Sequence, residues 1–135
     1  MTANLSPTFE QGDVFVIFVP FPNQPPSGMR PRDHLAYQRN GLWGKDRPVV
    51  IVSATKHNRW DDLLVASFTG EVGKARRRGE YVVRHWRAAN LHEASAVRPR
   101  LTQIVKSDIA GPQVGKMDSQ DITGMLAMLK DYLGL

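Results

Sequence analysis

The chain has 135 residues, 41% of them hydrophobic and 23% charged, and contains no Cys; this composition fits one soluble globular domain whose core needs neither disulfides nor a structural metal. Zero Cys also excludes thiol catalysis and zinc-finger chemistry. The formal net charge is +5, and the longest apolar run, residues 14–19, falls far short of a membrane helix; residues 1–10 show no basic start followed by an apolar stretch, so a cytoplasmic location is expected.

Residues 1–10 are expected to be a flexible N-terminus and residues 11–135 a single domain. Residues 12–21 are dense in Val, Phe and Ile and end at Pro20 and Pro22, which predicts a strand buried on both faces. Residues 23–46 contain Pro25, Pro26, Gly28, Pro31, Gly41 and Gly44 and read as a long loop, a flap. Residues 48–54 and 63–68 are two short apolar strands joined by the polar stretch 56–62, and a basic turn over 70–79 follows. Residues 81–86 alternate in a way that predicts a strand with Arg84 and His85 on opposite faces. Two more strands are expected at 95–98 and 101–107, with Pro99 marking a bend or an edge between them because it has no ladder donor. This spacing of short strands suits a small closed barrel. Asp118 can cap a helix with Asp121 three positions on, and Ile122, Met125, Leu126, Leu129 and Leu133 form one apolar stripe on it, read as a helix packed on the barrel.

The charge is concentrated. Residues 74–100 hold eight Arg and Lys against Glu80 and Glu93, a local net of +6, so the rest of the chain is −1. A basic block in a near-neutral body suggests a polyanion or an acidic peptide as partner, or else a solvated surface loop, and Arg76-Arg77-Arg78 is its densest part.

The polar residues show no metal-ligand spacing: His34, His57, His85 and His92 are scattered, so no metal cofactor is expected. No phosphate loop and no nucleophile elbow is present. Asp46 and the Asp61-Asp62 pair read as solvated or capping carboxylates. His85 and His34 could form an acid–base pair. Trp43, Trp60 and Trp86 could stack unpaired bases; Trp43, between glycines in the loop, is the better candidate, and Trp86 reads as core.

Four stretches in order carry a family resemblance. Gly12-Asp13-Val14-Phe15-Val16 with Pro20-Phe21-Pro22, then Lys45-Asp46-Arg47-Pro48-Val49-Val50-Ile51-Val52-Ser53, then Leu64-Val65-Ala66-Ser67-Phe68-Thr69, then Asn90-Leu91-His92-Glu93-Ala94-Ser95-Ala96-Val97 with Leu101-Thr102-Gln103-Ile104 together resemble the MazF/PemK family of toxins from type II bacterial toxin–antitoxin systems. The closing Gly115-Lys116-Met117-Asp118 and the helix fit as well. The resemblance implies a mainly β (α+β) fold, an SH3-like β-barrel with a C-terminal α-helix. It also implies a homodimer, a metal-independent endoribonuclease acting on single-stranded RNA, and a cognate antitoxin with a disordered acidic tail. The family's catalytic Arg and Ser/Thr fall on Arg47 and Thr69. Lys45, Ser67, Arg84, Arg98, Gln103 and Trp43 are the candidate substrate-binding residues. Where the PemK-like branch carries Arg-x-Asp, this chain reads Arg98-Pro99-Arg100 and lacks the carboxylate.

Those residue types suit the chemistry on their own account. Metal-free RNA cleavage uses the neighbouring 2′-hydroxyl as nucleophile, so the protein must orient it and stabilise a dianionic phosphorane. A guanidinium stays charged and offers a planar fork matched to phosphate oxygens. A Thr hydroxyl is too weak an acid to act alone and suits hydrogen bonding to the phosphate or the 2′-hydroxyl. The alternatives are an ion pair of Arg47 with Asp46 or Asp13, and a turn-closing role for Thr69. Three function classes stay open: a ribonuclease toxin, a non-catalytic toxin of the same barrel that inhibits a protein target such as gyrase, and a plain nucleic-acid-binding barrel.

Overall fold

A computed structural model describes residues 8–20, 38–39 and 42–135. The strands are β1 (Asp13–Pro20), β2 (Gln38–Arg39), β3 (Leu42–Ile51), β4 (Asp62–Thr69), β5 (Tyr81–Val82), β6 (Ala96–Val105) and β7 (Gly115–Lys116), followed by one helix, α1 (Ser119–Tyr132). They form one antiparallel sheet in the order β5-β6-β4-β3-β1-β7, with β2 paired to β3. The sheet curls into a half-barrel, mainly β, with α1, the one α-helix among the described residues, at its C-terminal end.

Period-2 alternation divides the central strands between two cores. Val14, Val50, Ala66 and Val97 point to one face, where Met125 and Leu129 of α1 meet them. Phe15, Val49, Ile51, Leu63, Val65 and Ile104 point to the other. β1 is therefore buried on both faces as its apolar run predicts, although its burial loosens towards Pro20. Ile51, Leu63 and Val65 are each 1% exposed, and burial of such a side chain stabilises by about 1.5–3 kcal/mol. The packed body begins before residue 11: the Phe9 and Phe15 rings lie 5.2 Å apart, and the Phe9 carbonyl accepts from Asn58 at 3.0 Å.

Three expectations are corrected. Residues 42–46 are not loop but the first half of β3, where Trp43 pairs in register with Gln38; the rest of the expected flap, 23–37 and 40–41, lies outside the described residues. The strand expected over 81–86 stops after Val82, because the buried Asp121 carboxylate accepts from the Arg84 and His85 amides, each at 2.9 Å, and draws the chain out of the ladder. The two strands expected around Pro99 are one, β6, and the proline sits in a bulge. Ala66 pairs with Leu101 but Phe68 with Val97, so the register slips across 98–100. A proline is tolerated there because a bulge asks for no donor.

The helix starts as its sequence predicts, with the Asp118 side chain accepting from the Gln120 amide at 2.9 Å. Asp121 does not complete a capping box; it is fully buried and also accepts from the Tyr81 hydroxyl at 2.7 Å. Leu133 is 54% exposed, so the packed stripe ends at Leu129. Asn90, at φ 63°, donates to the Val114 carbonyl at 2.9 Å and ties the segment before β6 to the β7 edge.

Candidate functional site

The site lies where three strands part. The β3–β4 ladder pairs Ile51 with Val65, Val50 with Ala66 and Val49 with Ser67, and stops there. Continuing that register by two residues sets Arg47 opposite Thr69, and alternation puts both on the face of Val49 and Ser67. Beyond the last pair the strands separate, and the gap is a cleft of about 430 Å³ lined by Lys45, Asp46, Arg47, Thr69, Glu71, His92, Glu93 and Arg98 among others. A second cleft of about 670 Å³ shares Arg47, Phe68 and Arg98 with it; Ile17, Val49, Val65, Ser67 and Ile104 line its floor. A charged recess thus adjoins an apolar trough, and two guanidinium groups border both.

Arg47 is exposed, and its side chain has no ion-pair or hydrogen-bond partner among the described residues. The alternative pairing with Asp13 is ruled out, because that carboxylate is 2% exposed and held by Lys116 at 3.3 Å. Asp46, the preceding residue on β3, lines the same cleft, but no ion pair joins the two. The turn-closing role of Thr69 is real: its Oγ1 accepts from the Glu71 amide at 3.2 Å. A hydroxyl so held still has its own proton to donate, and the turn fixes the direction in which it can do so. Thr69 is 6% exposed.

Arg98 reaches the site through the β6 bulge. Its Nε lies 3.8 Å from Oε2 of Glu80, whose side chain is only 6% exposed. The Glu80 Oε1 is buried and has no hydrogen-bond partner among the described residues. The cleft is not uniformly basic, since Glu71, Glu93 and Asp46 share its rim with Lys45, Arg47 and Arg98.

Of the residues singled out from sequence, Arg47, Thr69, Lys45, Ser67 and Arg98 come together around these two clefts. Three do not. Arg84 lines a separate open pocket with Tyr81, Ser119, Gln120 and Thr123 at the start of α1. Gln103 donates to Asp62 at 3.0 Å beside Trp60 and His57. Trp43 stands in β3 rather than in a loop. The most open indole is Trp60, 61% exposed with the Arg59 guanidinium 4.8 Å from its ring centroid, whereas Trp86 packs against the core. His85 sits 3.1 Å from Gln120 at the helix start, and His34 lies outside the described residues. No sequence pattern marks Glu71, Glu93 or Glu80; only the fold brings Glu71 and Glu93 to the charged cleft and Glu80 against Arg98.

No protein-family model matches the sequence, and no curated protein does. Solved structures of the same fold do match. An endoribonuclease in complex with its cognate antitoxin from a mycobacterial species is 15% identical, covering 95% of this chain and 95% of that one, with a TM-score of 0.61. A MazE–MazF complex from Deinococcus radiodurans is 11% identical over 96% of this chain and 99% of that one, TM-score 0.66. The toxin MazF-mt6 of Mycobacterium tuberculosis is 23% identical over 67% of this chain and 89% of that one, TM-score 0.56. At these identities the likeness establishes the fold: the chain is built as these toxins are. No helix among the described residues is long and apolar enough to cross a membrane.

Proposed function

We propose that this chain is the toxin of a toxin–antitoxin pair, a MazF/PemK-type endoribonuclease that cuts single-stranded RNA by attack of the 2′-hydroxyl on the adjacent phosphate. One arrangement carries the reading: Arg47, Thr69 and Arg98 line one cleft. The phosphate enters between the two guanidinium groups. As the 2′-oxygen attacks, charge builds on the non-bridging oxygens, and Arg47 meets it with a planar pair of donors that needs no reorganisation. The Thr69 hydroxyl donates a hydrogen bond to the phosphate or aligns the 2′-hydroxyl, held in direction by the Glu71 amide. Water takes the proton that the 2′-hydroxyl gives up, the P–O bond to the 5′-oxygen breaks, and that oxygen takes a proton from water, leaving a 2′,3′-cyclic phosphate and a 5′-hydroxyl. Bases of the strand lie along the apolar trough. The active unit is a homodimer in the cytoplasm, and the same groove takes the acidic tail of an antitoxin.

The test is cleavage of a synthetic single strand. Activity survives EDTA, and a strand with one 2′-deoxy nucleotide at the cut resists. Arg47→Ala lowers the rate by roughly a hundredfold or more, as loss of one preorganised donor does, and Arg47→Lys rescues little because it loses the fork. If RNA binds but is never cut, and Arg47→Ala behaves as the wild type, the chain belongs instead to the non-catalytic toxins or nucleic-acid-binding barrels.

A further inference from the structure

Glu80 is out of place as a surface ion pair. It is buried to 6% exposure while its partner Arg98 is 41% exposed, and the two meet at a loose 3.8 Å through Nε alone. Its second oxygen, Oε1, is buried with no hydrogen-bond partner among the described residues. Desolvating a carboxylate for so weak a return destabilises the fold, and an amide or apolar side chain would fit the same space more cheaply. Such a feature points to a task other than stability.

Its position suggests which task. Tyr81 pairs with Val97, so Glu80, one residue before β5, stands across the ladder from Arg98 in the β6 bulge. Arg98 lines the Arg47–Thr69 cleft, the apolar trough and a further cleft of about 430 Å³ that holds Arg78, Glu80 and Arg100. A carboxylate on the Nε edge of a guanidinium restrains its long stem and leaves the two terminal nitrogens for another ligand. Position 100, where a carboxylate two residues beyond Arg98 would stand, is itself an Arg.

We infer that Glu80 is the positioning residue of Arg98: a buried carboxylate supplied by the neighbouring strand, which holds that guanidinium towards the scissile phosphate. The inference rests on the proposed RNA cleavage. Glu80 itself does not touch the substrate, since it lies behind Arg98 and is buried.

The test uses single-turnover cleavage and thermal melting on the full chain. Glu80→Gln keeps the shape and removes the charge; it should lower kcat by roughly ten- to a hundredfold, the scale of a misplaced catalytic group, with KM within about twofold and melting temperature unchanged or higher. Glu80→Asp, which keeps the charge, should recover part of that loss. In an Arg98→Ala background, Glu80→Gln should change nothing further, because the group it positions is gone. The inference is overturned if Glu80→Gln and Glu80→Asp cut like the wild type, if the rate loss accompanies a fall in melting temperature, or if Glu80→Gln is equally damaging without Arg98. A wild-type chain that cuts while Glu80→Gln matches it removes the role of Glu80 and leaves the function standing; a wild-type chain that never cuts removes both.

Discussion

A threonine hydroxyl has one proton to give and two lone pairs to accept with, and at Thr69 one lone pair is taken by the Glu71 amide at 3.2 Å. The structural and chemical uses of this residue are therefore separable by substitution. Thr69→Ser keeps both uses and should retain cleavage. Thr69→Val keeps the volume of a 6% exposed side chain but loses both, so it should abolish most cleavage while lowering stability by only about 0.5–1.5 kcal/mol for the lost turn hydrogen bond. Single-turnover rates and melting curves on the same samples check this, and a Val variant that cuts at the wild-type rate removes the hydroxyl from the chemistry. Arg47 and Thr69 come from the family resemblance rather than from any local pattern, and the structure lines one cleft with both. Glu80 was not legible in the sequence: it reads as one acid in a basic run, and only the pairing of Tyr81 with Val97 sets it beside Arg98. The glycines flanking Trp43 read as loop, yet the strand continues through Gly44, where an added Cβ would strike Phe18 and the Val19 carbonyl.

Apolar content announced β1 and β4, and the cap and stripe announced α1, because such local signals report burial directly. The elements that failed are those set by a distant partner. Alternation over 81–86 is a sound strand pattern, yet Asp121, far along the chain, accepts the amides of Arg84 and His85 and the hydroxyl of Tyr81. That junction pins α1 to the sheet, and it titrates. Burial, then the hydrogen bond to Asp121 and its charge, push the Tyr81 pKa up to about 12 from an ordinary value near 10. The neutral phenol is thus favoured by folding, so the contribution is whole below pH 10 and is lost as pH rises through 12. The stability of the wild type should fall over that window more steeply than that of Tyr81→Phe, which has no phenol to titrate. Chemical denaturation at pH 9 and pH 11.5 measures the difference, and parallel losses in the two proteins would show that the junction does not depend on this proton.

Taken whole, the molecule is a nearly neutral half-barrel carrying one basic edge, and the fold decides which of those charges act at a distance. Arg78 is met by Glu71 at 3.3 Å, and Lys74 lies 3.9 Å from the same carboxylate. Arg76 and Arg77 are exposed, with no ion-pair partner among the described residues. The turn that holds them adjoins the Arg47–Thr69 cleft, lined by Glu71, and the cleft of Glu80, Arg98 and Arg100, lined by Arg78. Charges so placed raise the local concentration of a polyanion without locking it in place, which affects association more than dissociation. Removing Arg76 and Arg77 together should slow the binding of a cleavage-resistant 2′-deoxy-substituted strand several-fold at low salt while leaving its dissociation rate nearly unchanged. Removing Arg78 alone should do less, since its charge is already offset by Glu71. At about 1 M salt the Debye length shrinks to roughly 3 Å, and the variants should then bind at the wild-type rate. Stopped-flow association at two salt concentrations measures this directly, and equal association rates at low salt would place the arginine turn outside the path by which the strand enters the groove.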